Sequence, residues 1–178
     1  MSKRTTTNHI ERDFLAAYDA HADALFRHCL FRLSDRERAK ELTQETFTRT
    51  WEYMITHPDE AVENIRALLY RIARNMIIDE YRSHKRYNQS LDALSEDEGF
   101  DLPDGDAHGA IVRGAEMSRL FTLMDDLPNA AREVLALRYS DDMAVKEIAE
   151  LLGETENVIS VRIHRGLAQL KKRMGPHT

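Results

Sequence analysis

The chain has 178 residues, 42% apolar and 31% charged, with a formal net charge of −6. That length buries one ordinary core or two small ones, and no apolar run approaches the roughly 20 residues that a membrane span needs. The single cysteine, Cys29, excludes an internal disulfide framework and suits a reducing cytoplasm, and the polar stretch Met1–Asn8 lacks the apolar segment of a secretory signal.

Helical periodicity dominates and strand-like alternation is absent, so an all-α fold is expected. Residues 1–9 read as a disordered tail, and a first helix covers Ile10 to Leu33. It carries His21, His28 and Cys29. These could be imagined as a metal or redox site, but a packed cysteine with two surface histidines is the better expectation. Ser34 or Asp35 caps a second helix running to about Ile55, and Pro58 closes that element. On it, Gln44 and Glu45 lie among apolar Leu42, Phe47 and Trp51, and the apolar three are core residues by default.

A third helix spans Asn64 to Arg86. Ile65, Leu68, Leu69, Ile72 and Met76 form its core stripe. Arg71, Arg74, Arg82 and Lys85 fall within an arc of about 80° on another side, by the 3.6-residue period. Tyr70, Ile77 and Tyr81 flank that arc, with Asn75 on its other edge. Guanidinium groups beside aromatic rings suit a nucleic acid whose bases can be unstacked; equally, the two tyrosines can pack on a neighbouring helix. From Tyr87 to Arg113 periodicity fails. Residues 91–112 contain no Lys or Arg but carry Asp92, Glu96, Asp97, Glu98, Asp101, Asp104 and Asp106. With Pro103 and several glycines, the stretch reads as an acidic linker.

Periodicity then resumes. A short helix covers Ala115 to Asp126, and Pro128 in a first turn opens another that reaches about Tyr139. The pairs Asp125-Asp126 and Asp141-Asp142 read as helix-end and turn residues. With no phosphate-cradling Gly loop and no His-Glu-x-x-His run, no catalytic residue, metal or cofactor is expected. Met143 to Leu152 forms the next helix and stops at Gly153, the usual residue past a helix end. Thr155 caps the last helix, which runs to about Arg173.

These two helices have helix-turn-helix spacing. On the second, Ile159, Ile163, Gly166, Leu167 and Leu170 share one face, and Gly166 there implies close helix packing. Opposite lie Val161, Arg165, Ala168 and Lys172, flanked by Arg162 and His164. From Val158 to Arg173 there are five basic residues and no acids. A helix buried on one side, with short and basic side chains on the other, suits a major groove.

Three blocks, in order, resemble the extracytoplasmic-function (group 4) bacterial sigma factors. Lys40-Glu-Leu-Thr-Gln-Glu-Thr-Phe47 with Trp51 is similar to the family's Asp-Leu-x-Gln-Glu-x-Phe block. Leu68-Leu-Tyr-Arg-Ile-Ala-Arg-Asn75, followed by Asp79 and Tyr81, resembles its second. Leu127-Pro through Leu135, continuing into the helix-turn-helix, resembles its third.

The resemblance implies sigma domain 2 over residues 10–88, a linker over 89–113 and sigma domain 4 over 114–175. It implies that Leu42, Gln44, Glu45 and Phe47 dock on the β′ subunit of core RNA polymerase, with the β subunit as a further contact. Arg71, Arg74, Asn75, Arg82 and Lys85 are then expected on the −10 promoter element, with Asn75 in the pocket for a flipped base. Ser160, Val161, Arg162, His164 and Arg165 fall on the family's −35 contact positions, and Lys172 shares their groove face. An anti-sigma factor is implied as a partner, and the free protein is expected to be monomeric and cytoplasmic.

Two departures carry consequences. Leu68 stands where a Trp commonly precedes the Leu of the second block, so packing near the flipped base differs. Val158-Ile-Ser-Val-Arg162 replaces the usual Thr-Val-Lys/Arg-Ser-Arg, removing a hydroxyl and a cation from the groove face. Thymine methyl contacts and DNA shape then carry more of the −35 specificity. The competing reading is a self-sufficient helix-turn-helix regulator whose N-terminal bundle dimerises or senses; such a protein binds duplex DNA unaided.

Overall fold

The computed structural model describes the backbone of residues 2–58, 62–92, 122–124 and 126–174, and its side chains outside 2–8 and 84–92. Among the described residues the main helices are α1 (Ser2–Leu33), α2 (Arg36–Thr56), α3 (Ile65–Asp92), α4 (Asn129–Leu135), α5 (Val145–Leu152) and α6 (Glu156–Met174). Among the described residues no strand occurs, and no helix is long and apolar enough to cross a membrane.

The expected boundaries hold where caps define them. The chain leaves α1 through Ser34, which adopts φ 54°, and Asp35 caps α2 by accepting from the Arg38 amide at 2.9 Å. Asn64 does the same for α3, accepting from the Ala67 amide at 2.9 Å. Two ends differ. The α1 backbone is already helical at Ser2, where a disordered tail was expected, and α3 continues to Asp92 rather than ending at Arg86. Neither segment has an apolar periodicity that would announce a helix, so both are extensions of helices nucleated by better-patterned residues. The acidic linker beyond residue 92 lies outside the described residues, as does most of the helix expected over Ala115 to Asp126.

Helices α1, α2 and α3 pack on one another around Leu25, Cys29, Ala39, Leu42, Phe47, Leu69, Ala73 and Ile77. Helices α4, α5 and α6 enclose Val134, Leu135, Leu137, Ile148, Ala149, Ile159 and Ile163. The two groups join into one continuous apolar cluster, because α1 and α3 also meet α4, α5 and the turn that follows α4.

That turn departs from the expected plain helix. Residues Ala136–Ser140 form a π-helical turn, with the Asp141 amide donating to the Ala136 carbonyl at 3.1 Å. Asp142 then adopts φ 51°, a left-handed conformation that Asp tolerates better than most side chains. Arg138 closes the loop by donating to the Met143 carbonyl at 2.9 Å. The widened turn and the left-handed residue leave Asp142 exposed and deliver Asp141, 5% exposed, into the contact with α1 and α3. π-Turns of this kind recur where a side chain must be re-aimed for function.

Candidate nucleic-acid interface

The α5–α6 unit is built by local chemistry. The Glu147 carboxylate reaches back to accept from the Ala144 amide at 2.7 Å; Ala144 cannot return the bond, so this is half a capping box. Gly153 ends α5 at φ 68°, ψ 33°, the left-handed cap that glycine adopts without strain. Thr155 Oγ1 accepts from the Val158 amide at 3.3 Å and starts α6. Gly166 is buried against α4: a Cβ there would stand 3.0 Å from Leu135 Cδ1 and 3.4 Å from Ala131 Cβ. The absence of a side chain is what lets α6 lie close to α4.

With Ile159, Ile163 and Gly166 buried, the opposite face is open. Ser160, Val161, His164, Arg165 and Lys172 are all exposed. Arg162 is partly buried and donates to Glu154 at 3.1 Å, so its guanidinium is steered toward the start of the helix. Leu167, expected among the packed residues, is instead 40% exposed. It sits at the margin of an apolar stripe already filled by Gly166, Ile163 and Leu170.

The face of α3 is a different environment. Arg71, Asn75 and Arg82 are exposed, and Arg82 pairs with Asp79 at 3.5 Å. Arg74 is half-withdrawn, donating from Nε to Glu133 Oε1 of α4 at 3.0 Å. The Lys85 side chain lies outside the described residues. Tyr70 and Ile77, read as flanking a nucleic-acid surface, are buried at 1% and 0% exposure. They are covered because α3 packs on two sides, against α1 and α2 and against the second helical group. Tyr70 stands edge-on to the His28 ring, centroids 5.2 Å apart. Burial first, and the Asp141 carboxylate second, push its hydroxyl well above the ordinary tyrosine range. Tyr81 is partly buried and donates to the Arg32 carbonyl. Of the two open readings, the tyrosines pack.

The second block of interest lies on α2 and its neighbour α1. Gln44 is exposed, and Glu45 pairs with Arg49 at 2.6 Å, whereas Leu42 and Phe47 are 0% and 4% exposed. Phe47 forms the floor of a groove of about 510 Å³ lined by Phe14, Leu15, Tyr18, Gln44 and Trp51 among others. Phe14 meets Trp51 at 5.1 Å and Tyr18 meets Phe47 at 4.8 Å between centroids. Leu15 and Tyr18, 54% and 48% exposed, were missed from sequence. They lie on α1, and only the packing of α1 on α2 brings them to the Gln-Glu block.

Cys29 is buried, and burial pushes its thiol up to about 11, as expected of a packed cysteine. His28 is not the surface histidine expected: it is 2% exposed and donates from Nδ1 to Asp141 Oδ2 at 2.7 Å. His21 is partly buried and shifted downward, by burial and then by the charge of Arg66.

Comparison with known proteins now bears on this geometry. The family model for Sigma-70 region 2 matches residues 17–87, and that for Sigma-70, region 4 matches residues 117–170. The chain belongs to the extracytoplasmic-function (ECF) sigma factors. It is 28% identical over 159 residues to the ECF RNA polymerase sigma factor SigL of Mycobacterium tuberculosis, covering 88% of this chain and 85% of that one. It is 29% identical over 168 residues to SigW of Bacillus subtilis, covering 90% and 88%. Its fold resembles the sigma factor RpoE in complex with the anti-sigma factor NepR from Bartonella quintana (TM-score 0.72, 20% identity, 94% and 99% covered). It also resembles CnrH in complex with the cytosolic domain of CnrY (TM-score 0.68, 22% identity, 98% and 97% covered). The α2–α3 surfaces described above thus fall in region 2 of this sigma factor, and the helix-turn-helix in region 4.

Proposed function

We propose that this ECF sigma factor acts in the cytoplasm, joins the β′ and β subunits of core RNA polymerase, and directs initiation at promoters carrying its −10 and −35 elements. Its share of the work is binding, not catalysis. The domain boundaries proposed are 10–88 for domain 2, 89–113 for the linker and 114–175 for domain 4. The observation that carries the reading is the two-sided character of α6, whose buried Ile159, Ile163 and Gly166 leave Ser160, Val161, His164 and Arg165 in solvent. Such a helix reads base edges in a major groove, with Arg162 and Lys172 reaching flanking phosphates.

On domain 2, Arg71, Arg74, Arg82 and Lys85 hold the phosphates of the −10 strand, and Asn75 offers hydrogen bonds to an extruded base. Gln44 and Glu45 make the polar contacts to polymerase at the rim of the aromatic groove. Phe47 acts there as the floor of that groove, and Leu42, buried in the core beneath, acts by holding α2 in place. An anti-sigma factor is the natural regulator, as suggested by the complex of the sigma factor RpoE with the anti-sigma factor NepR. The free chain is monomeric.

Each domain contributes only a handful of phosphate contacts, which bind weakly and with strong salt dependence. Mounting both on one polymerase raises the effective concentration of the second site once the first is engaged. The alternative, a self-sufficient helix-turn-helix regulator, is not favoured, since region 2 and region 4 both match in order. Run-off transcription with purified core polymerase on a pool of genomic promoters tests the proposal. Discrete transcripts sharing paired upstream elements, absent without this chain, are the expected result; no dependence on the chain overturns it.

A further inference from the structure

The first two turns of α6 carry residues that the helix itself does not ask for. Asn157 is exposed, and Val158 and Val161 are 37% and 40% exposed. At about 100° per residue the three fall within an arc of about 100°, centred roughly 160° away from the helix's buried stripe of Ile159, Ile163 and Gly166. Asparagine favours helix caps over helix interiors, but the cap is already made by Thr155, whose Oγ1 accepts from the Val158 amide at 3.3 Å. β-Branched side chains lose χ1 freedom in a helix, and on this face two valines recover little of that by packing. One amide and two stiff apolar branches therefore point outward beside Ser160 and Arg165. Arg162, held by Glu154 at 3.1 Å, stands at their edge.

Resting on the proposed placement of α6 in the −35 element, we infer that this patch reads a short run of A·T pairs. Asn157 is the specificity-determining residue: its amide forks onto an adenine, while Val161 and Val158 close on thymine 5-methyl groups. In the major groove adenine shows its N7 acceptor beside its N6 amino donor, and thymine shows O4 beside its methyl. The Asn157 carbonyl accepts from N6 while an amide N–H donates to N7. Guanine offers two acceptors there, N7 and O6, and would set O6 against the Asn157 carbonyl. Cytosine would bring its N4 amino donor against a valine, which has no acceptor, and leave that donor desolvated and unpaired.

The spacing suits the task. Asn157 and Val161 are four residues apart and Val158 and Val161 three, so each pair has Cβ atoms about 5–6 Å from one another. Base pairs rise by about 3.4 Å, so neighbouring side chains of this patch meet base edges one or two pairs apart. The stiffness that makes valine a poor choice for an exposed helix face becomes useful here, because little rotamer freedom remains to be lost on contact. The start of a recognition helix is also the part that approaches base edges in helix-turn-helix proteins.

Holoenzyme assembled from the full chain and core polymerase, on a promoter recovered by run-off transcription, tests the assignment through changes made in the DNA. Deoxyuridine in place of each −35 thymine removes the 5-methyl, and 7-deazaadenine in place of each adenine removes the N7 acceptor. At one or two thymines, deoxyuridine is expected to weaken binding about fourfold, the worth of one buried methyl, and that loss vanishes in Val161→Ala or Val158→Ala. Asn157→Ala lowers discrimination between A·T and G·C at one pair by about 5- to 150-fold, the range of one bidentate base contact, and 7-deazaadenine at that pair then costs nothing further. Equal deoxyuridine losses in the unaltered chain and in both valine variants overturn the inference, as does a base preference that Asn157→Ala leaves intact. A scrambled −35 element that binds as well as the original would sink the placement of α6 and the inference with it. A scrambled element that fails to bind, while both base analogues are silent, sinks the inference alone.

Discussion

The two helices proposed to face DNA in this sigma factor, α6 and α3, carry similar side chains in opposite circumstances. On α6, Arg165 and Lys172 stand in solvent, while Arg162 is engaged by Glu154 and Arg173 by Asp126, both of its own domain. On α3, Arg74 is held by Glu133 and Arg66 by Asp141, both from the other domain. The difference teaches that an amphipathic basic helix reports what a chain can bind and not whether the surface is available. Availability is set by what else packs there, and α3 is covered on two sides.

Substitutions can break or sharpen that contrast, and the largest effects are in the packing beneath the faces. Leu42→Ala removes a side chain that is 0% exposed and should cost about 2–5 kcal/mol of stability. Gln44→Ala beside it should leave the melting temperature unchanged while weakening association with core polymerase. Equal melting curves for the two would contradict the division between the buried core of α2 and the groove rim. Gly166→Leu drives a side chain into Leu135, 3.0 Å from the first added carbon, and should destabilise domain 4 by about 1–3 kcal/mol or more. Thermal unfolding followed by circular dichroism reads both.

The intermediate effect is Arg165→Ala. It should lower initiation at a −35-dependent promoter by about 5- to 150-fold, equivalent to about 1–3 kcal/mol, and relax specificity at one base pair. Thr155→Ala, which removes the α6 cap, should cost about 1 kcal/mol and lower promoter affinity only through stability. The smallest effect is Arg71→Ala. As a phosphate contact it should weaken holoenzyme binding alike on all promoters and reduce the salt slope by about 0.7–0.9. If Arg71→Ala changed base preference instead, the contrast drawn between reading on α6 and holding on α3 would fail.

Much of this was legible in the residues. Asp35, Thr155 and Gly153 are caps whose chemistry acts within a few residues, so sequence places them well. The close packing of Gly166 could be read from a glycine standing on an apolar face. What escaped was non-local. His28 reads as a surface histidine because its partner Asp141 is far along the chain, and the Asp141-Asp142 pair reads as a plain turn because nothing in the run Ala136–Ser140 announces a π-helical turn. Tyr70 and Ile77 lie beside the basic arc in projection, and only the second layer of helices reveals that side to be core. Leu15 and Tyr18 are unremarkable until α1 lies across α2. Among the named site residues, Leu42 and Phe47 illustrate the same limit: their motif identifies the surface, while burial separates those that shape it from those that can touch a partner.

The most direct test of the account is the affinity of the free chain and of its holoenzyme for one duplex promoter at physiological salt. The account predicts binding by the free chain no tighter than the nonspecific range of roughly 10⁻⁴–10⁻⁶ M and by the holoenzyme in the specific range of roughly 10⁻⁸–10⁻¹¹ M. Specific, tight binding by the free chain that core polymerase leaves unchanged would contradict it.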